Sequence, residues 1–305
     1  MRAAFVSTLV ELAESDRRIM LLTADLGFRA LEPFVERFPD RFLNVGVAEQ
    51  NMVGVATGLA EAGFVPFVYS IVTFACLRPY EFIRNGPIQH RWTVRIVGIG
   101  GGVGYGQNGL SHYGLEDIGV MRLQPGIRVI APADHHQVRA CIRATCEDPG
   151  PVYYRLEKDD VTITPGLNGC FESGRVQVLA RGDDCVLFSV GSLSAEVAAA
   201  CLQLKQHGIN CTHGVIADIN PPPREHLCEL LKGHSFVFAV EAHYACGGIG
   251  SLVAETIAEA GLSCKLVRLG FHSMPDGRVG SQSYLLSCNG LNRNGIAASV
   301  LKKIQ

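Results

Sequence analysis

Short apolar runs, each followed by a glycine-rich or polar turn and then by helical periodicity, recur along the first half of the chain. RIMLLTAD (18–25) reads as a strand leading through a loop to the helical EPFVERF. FLNVG leads into a helix carrying Ala48 to Ala62. FVPFVYS precedes a helix near 73–85, and TVRIVGIG precedes a long loop. IRVIAPAD precedes the helix HHQVRACIRATC, and PVYYRL closes the series. Runs that are apolar throughout, with helices between them, predict a parallel sheet covered on both faces.

After Leu156 the pattern lapses. EKDDVTITPGLNGCFESG is polar and punctuated by Gly and Pro, which reads as an inter-domain linker over 161–174. A second series then begins with DDCVLFSVGS and the helix SAEVAAACLQLKQHG. CTHGVIADI, PPPREHLCELLKG, SFVFAVEA, LVAETIAEAG and CKLVRLG continue it. The expected fold class is α/β with two domains, about 1–160 and 175–305. Each would be a mostly parallel sheet with helices on both faces, and the halves are not detectable repeats of one another.

Composition narrows the function classes. The chain has 305 residues, 48% of them hydrophobic and 18% charged, so two sizeable cores can be buried. A net charge of -2 gives no reason to expect nucleic acid or an anionic membrane. Gly, Pro and charges interrupt every apolar segment before the roughly 18 residues of a membrane span. The N-terminal MRAAFVSTLVELAESDRR has acids in it and lacks a signal peptide's apolar centre. The 11 cysteines are odd in number, sit largely inside apolar segments and form no CxxC pair. Together these features predict a reduced cytoplasmic protein.

Few stretches look chemical. GYGQNG, Gly104 to Gly109, has GxGxxG spacing, but no helix or later acidic residue follows to make a dinucleotide site. A ligand-lining loop is the better use of it, and His112 lies in that loop. Asp134 reads as an N-cap for a helix beginning with His135 and His136. His243 follows a strand and precedes a glycine-rich turn, a common site position in α/β sheets. The oddest residue is Glu49 in GVAEQNM, at the mouth of an otherwise apolar helix. Its carboxyl needs a cap, a partner charge or a ligand. An acid surrounded by apolar residues is suited to sharing a proton.

The run ERFPDRFLNVGVAEQNMVGVATGLAEAGFVPFVYS resembles the pyrimidine-binding domain of transketolase and its thiamine-diphosphate relatives, as does GVGYGQNGLSHYGLEDIGVMRLQPGIRVIAPAD. FSVGSLSAEVAAA, VEAHYACGGIGSLVAE and KLVRLG resemble the family's C-terminal domain. The forms AEQNM and SHYGLEDIGVMR favour transketolase or deoxyxylulose-phosphate synthase over the beta subunits of 2-oxo-acid dehydrogenases. The family's diphosphate-binding domain carries a GDG motif with a later Asn, and GDG occurs nowhere in this sequence. The resemblance therefore implies one half of a split transketolase. A partner subunit would hold the cofactor's diphosphate and Mg²⁺, with active sites between subunits in an α2β2 assembly.

The resemblance also implies residue roles. Glu49 would hydrogen-bond N1′ of the aminopyrimidine, sharing the proton that activates the cofactor. Phe74 would pack on the same ring, and Asp25 would lie near the cofactor. His112 would meet the donor sugar's oxygens and Arg2 its phosphate. Asn108 stands where an Asp is usual, and Lys158 where an Arg is usual, while Arg29 replaces a small hydroxyl residue. Asn can both donate and accept, and lysine lacks the bidentate fork, so these departures imply a nonstandard sugar substrate. The implied activity is transfer of a two-carbon ketol unit. The alternatives are a decarboxylating condensation of the deoxyxylulose-phosphate-synthase type and a catalytically silent subunit.

Overall fold

Parallel strands with apolar side chains on both faces centre each half of the computed structural model, which describes residues 1–304. The first half supplies β1 (Ile19–Thr23), β2 (Phe42–Asn44), β3 (Val65–Ile71), β4 (Arg95–Ile99), β5 (Arg128–Ile130) and β6 (Val152–Leu156). The second supplies β7 (Gln177–Ala180), β8 (Cys185–Ser189), β9 (Cys211–Val215), β10 (Asp218–Asn220), β11 (Phe236–Tyr244) and β12 (Lys265–Phe271). The sheets run β10-β5-β6-β4-β3-β1-β2 and β12-β11-β8-β9-β7. Only the edge strands β10 and β7 are antiparallel.

Successive side chains on a strand point to opposite faces, and this divides the apolar runs between two layers. Leu21, Phe67, Tyr69, Val97 and Tyr154 face α1 (Arg2–Ser15) and pack in one cluster with Phe5 and Leu9. Their neighbours Leu22, Val68, Ile96 and Tyr153 pack in the opposite cluster. Around these lie α2 (Glu32–Arg37), α3 (Glu49–Glu61), α4 (Val72–Cys76), α5 (Tyr80–Ile83), α6 (Asp117–Arg122) and α7 (His135–Thr145). The second sheet is covered by α8 (Leu193–Gln206), α9 (Arg224–Leu231) and α10 (Ile249–Glu259), followed by α11 (Gln282–Cys288) and α12 (Arg293–Ile304). Asp134 caps α7, accepting a hydrogen bond from the Gln137 N–H.

Three features differ from the sequence expectation. The helix expected near 73–85 is broken into α4 and α5 at Pro79, whose nitrogen has no proton to donate and whose ring opposes a continuing helix. CTHGVIADI does not form one strand. It divides into β9 and β10, and β10 crosses to the first sheet, held by Asp218 paired with Arg128 at 2.5 Å. Beyond β12 the chain also forms α11 and α12, and α12 buries Ile296, Ala297 and Val300 in the cluster containing α8's Leu204. Residues 161–174 contain no helix or strand, although Thr164 donates its backbone N–H to the Asp134 carboxylate at 3.0 Å.

A buried hub of charge joins the halves. Arg155 on β6 donates through Nε to Asp117 Oδ2 at 2.9 Å and through Nη2 to the Ala242 carbonyl of β11 at 2.9 Å. Glu157 lies 3.5 Å from Arg155, and burial pushes its carboxyl up to about 7 against the pull of the guanidinium. His243 belongs to this structural seam. Its Nδ1–H donates to the Tyr244 carbonyl at 2.8 Å, and its Nε2 accepts from the Gly119 N–H at 3.3 Å.

Candidate functional site

Ligands of open α/β sheets bind outside the carboxyl ends of the parallel strands. In the first sheet that edge gathers the segments after β1, β2, β3, β4 and β6, and each holds residues singled out above. Asp25 and Arg29 follow β1, and Glu49 follows β2. Phe74 follows β3, His112 and Asn108 follow β4, and Lys158 follows β6. Separated in sequence, they come to one side because the strands between them run the same way.

Glu49 is the first residue of α3 and only 3% exposed. It is not a cap: α3 begins without any side-chain cap, and the carboxyl instead pairs with Arg78 Nη1 at 2.7 Å. Of the three partners possible for that carboxyl, the ligand-free chain uses a partner charge. The Arg78 guanidinium also lies 3.7 Å over the Phe74 ring, a cation–π contact. Phe74 meets His112 edge-on at 5.1 Å, and His112 lies 6.0 Å from Tyr105. Lys158 Nζ lies 4.7 Å over Tyr105. A continuous line of contacts thus runs from Glu49 through Arg78, Phe74, His112 and Tyr105 to Lys158.

The electrostatics of the line suit a neutral imidazole between cations. Partial burial, and then the nearby Arg78 charge, hold His112 below the ordinary histidine range. Ser111 Oγ lies 2.9 Å from His112 Nδ1, and Thr73 Oγ1 donates to the Ser111 carbonyl at 3.1 Å, fixing the loop against α4. The second half supports the same loop. Tyr113 donates its hydroxyl to the Arg278 carbonyl at 2.9 Å, and Gly280 donates its N–H to the Gly106 carbonyl at 3.1 Å.

The remaining candidates sit around this line. Asp25 adopts a left-handed φ of 56° and pairs with Asn44, whose Oδ1 accepts from the N–H groups of Asp25 and Gly46. That link ties the β1 loop to the segment entering Glu49. The Arg2 charge acts on Tyr105, opposing the upward push of burial on its phenol, so Arg2 lies beside the Lys158 end. Among the described residues, no hydrogen bond or ring contact ties the Asn108 amide or the Arg29 guanidinium to the line. Arg29 has its backbone N–H bound to Glu32 at 2.7 Å. Arg78 and Tyr105 were missed from sequence. The Arg-Pro pair inside a helical pattern was the available signal for Arg78, since Pro79 ends the helix and leaves Arg78 in the turn facing Glu49.

A buried carboxylate that accepts from a flat N–H-bearing group stacked on an aromatic ring has the donors and faces an aminopyrimidine requires. Among the described residues, no group of three His, Cys, Asp or Glu side chains is placed to hold a metal ion. Also among them, no helix is long and apolar enough to cross a membrane.

Comparison with known proteins accords with this arrangement. The family profile described as the transketolase pyrimidine binding domain matches residues 1–163, and that of the transketolase C-terminal domain matches residues 174–296. A Methanocaldococcus jannaschii protein, provisionally described as a transketolase C-terminal section, is 37% identical over 308 residues, spanning 100% of this chain and 96% of its own. A Phocaeicola vulgatus protein, named as one of the subunits of an apulose-4-phosphate transketolase, is 30% identical, spanning 100% of this chain and 97% of its own. A solved structure, described as a split gene transketolase in an inactive beta4 tetramer, superposes with a TM-score of 0.88 at 34% identity, covering 99% of this chain and 97% of that one.

Proposed function

The chain belongs to the transketolase family, and on that premise we propose that it is one subunit of a split, thiamine-diphosphate-dependent transketolase of the reduced cytoplasm. It transfers a two-carbon ketol unit from a ketose donor to an aldose acceptor. Residues 1–160 form the pyrimidine-binding domain, 161–174 the linker and 175–305 the C-terminal domain. A second subunit, in an α2β2 assembly, holds the diphosphate and Mg²⁺. The observation that supports this reading best is the carboxyl of Glu49, buried at the ligand edge of the sheet beside an aromatic face.

Thiamine diphosphate supplies the electron sink that lets the bond between C2 and C3 of a ketose break. This chain's residues do the rest. Glu49 holds a proton at the aminopyrimidine N1′, out of water's reach. Phe74 gives the ring a flat face to pack on. His112, kept neutral, can donate from one ring nitrogen while accepting at the other, as a sugar's hydroxyl and carbonyl oxygens require. Asp25 supports the loop entering Glu49. Lys158 and Arg2, at the far end of the line, draw in an anionic group of the sugar. Asn108 and Arg29 on the rim act on donor identity, and the relative named for apulose 4-phosphate supports a nonstandard sugar substrate.

The test is reconstitution with a diphosphate-binding subunit, thiamine diphosphate and Mg²⁺, and a panel of ketose phosphates that includes xylulose 5-phosphate. Ketol transfer that needs both subunits, strongest on a sugar other than xylulose 5-phosphate, is the expected result. No transfer from any ketose by a correctly assembled complex would reject the function. An ordinary preference for xylulose 5-phosphate and ribose 5-phosphate would reject the nonstandard substrate.

A further inference from the structure

Arg78 occupies the place that the functional reading gives to the cofactor's ring. Its guanidinium lies 3.7 Å over Phe74 and donates to Glu49 at 2.7 Å. An aminopyrimidine held by the same two residues would be a flat, nitrogen-bearing ring on the same face, bonded to the same carboxyl. One such plane excludes the other. We propose that Arg78 is a positioning residue that stands in for the aminopyrimidine, and that the cofactor enters only as Arg78 leaves both Phe74 and Glu49. The inference rests on the proposed function and adds how this chain keeps the pocket formed before cofactor arrives.

The two partners are unequal in their freedom to move. Glu49 is 3% exposed and anchored in the first turn of α3, whereas the Arg78 side chain is 42% exposed. Arg78 lies in the turn between α4 and α5, immediately before Pro79, outside any helical hydrogen-bond ladder that would restrain its side chain. Its guanidinium therefore has a route to solvent, and the arginine is the partner that gives way. The pair also solves a problem for the empty pocket, since a buried carboxylate without a counter-ion is costly. Once Arg78 withdraws, the carboxyl lacks its counter-ion and is better served by sharing a proton with the ring. The same movement takes a positive charge away from His112, whose protonation that charge opposes. Cofactor entry would thus change Glu49 from an ion-pair partner to a proton-sharing group and relieve His112.

Two measurements test this. The first is titration with thiamine diphosphate and Mg²⁺ of the full chain assembled with its diphosphate-binding partner, for wild type, Arg78→Gln and Arg78→Lys. If Arg78 holds the pocket about nine-tenths of the time, removing it tightens binding about tenfold. Lysine, which lacks the planar fork, should fall between. Binding by Arg78→Gln that equals or is weaker than wild type overturns the inference and leaves the functional reading standing. No binding by wild type and variant alike rejects that reading, and the inference with it. The second measurement is the NMR titration of His112 in the ligand-free full chain, where Arg78→Gln should raise its midpoint. An unchanged midpoint contradicts the placement of Arg78 and overturns the inference.

Discussion

Replacing Glu157 by Gln should flatten the dependence of stability on pH. Glu157 lies at the end of β6, 2% exposed, with Oε2 buried and lacking a hydrogen-bond partner among the described residues. Burial raises its carboxyl from an ordinary 4.5 to about 7, although Arg155 beside it pulls the other way. Between those two values the folded chain keeps a proton that the unfolded chain has lost. Stability therefore falls as pH rises through that window. The full difference amounts to about 3 kcal/mol, present as a penalty above pH 7 and relieved below pH 4.5. Glutamine keeps the shape and removes the titration. Because Arg155 retains its bond to Asp117, the guanidinium keeps a counter-ion in the variant. Urea unfolding midpoints at several values between pH 5 and 8 give the comparison. Wild type should lose about 3 kcal/mol more than Glu157→Gln across that range, while Glu241 and Glu116, also raised by burial, contribute equally to both. An identical slope in the two proteins would refute a buried, titrating Glu157.

The same hub makes Arg155→Met strongly destabilising, by about 3–5 kcal/mol, because Asp117 and Glu157 would remain buried without their counter-charge. Denaturant midpoints at pH 7 check this, and a loss below about 1 kcal/mol would contradict the buried network. Gly102→Ala should destabilise by about 1–3 kcal/mol, since Gly102 has a φ of +62° and a Cβ there would lie 2.8 Å from Ala242. Thermal unfolding checks it, and a midpoint matching wild type would show that β11 does not approach the loop after β4 so closely.

Much of the fold was legible because burial of both sheet faces demands uninterrupted apolar strands. Phe67, Val68 and Tyr69 serve opposite layers, yet in sequence they form one greasy run that marks a covered parallel strand. Asp134 was legible as a cap because capping is local. Glu49 stood out because a carboxyl in apolar company needs a partner, and the partner's identity depended on a turn about thirty residues away. Nothing local distinguishes Arg78 from a solvated arginine. Arg155 misleads in the same way: within PVYYRL it looks like the polar face of a strand, yet it is buried because Asp117 and the Ala242 carbonyl reach it from elsewhere. The crossing of β10 was hidden for a related reason. Asp218 has no visible purpose until Arg128 of the other half lies opposite it. The glycines after β4 carried a rejected nucleotide motif's spacing, while at Gly101 and Gly102 the cause is close approach by Arg155 and Ala242.

The most direct test concerns Glu49. In the assembled two-subunit complex with thiamine diphosphate and Mg²⁺, the rate of hydrogen–deuterium exchange at the cofactor's thiazolium C2 reports activation before any sugar is added. Glu49→Gln keeps the size of the side chain and removes the group that shares the proton. Exchange should slow about 10²–10⁴-fold, the range expected for loss of a general acid–base group, while the subunits still associate. Exchange within about tenfold of wild type would show that the buried carboxyl at the mouth of α3 is not the cofactor's proton partner.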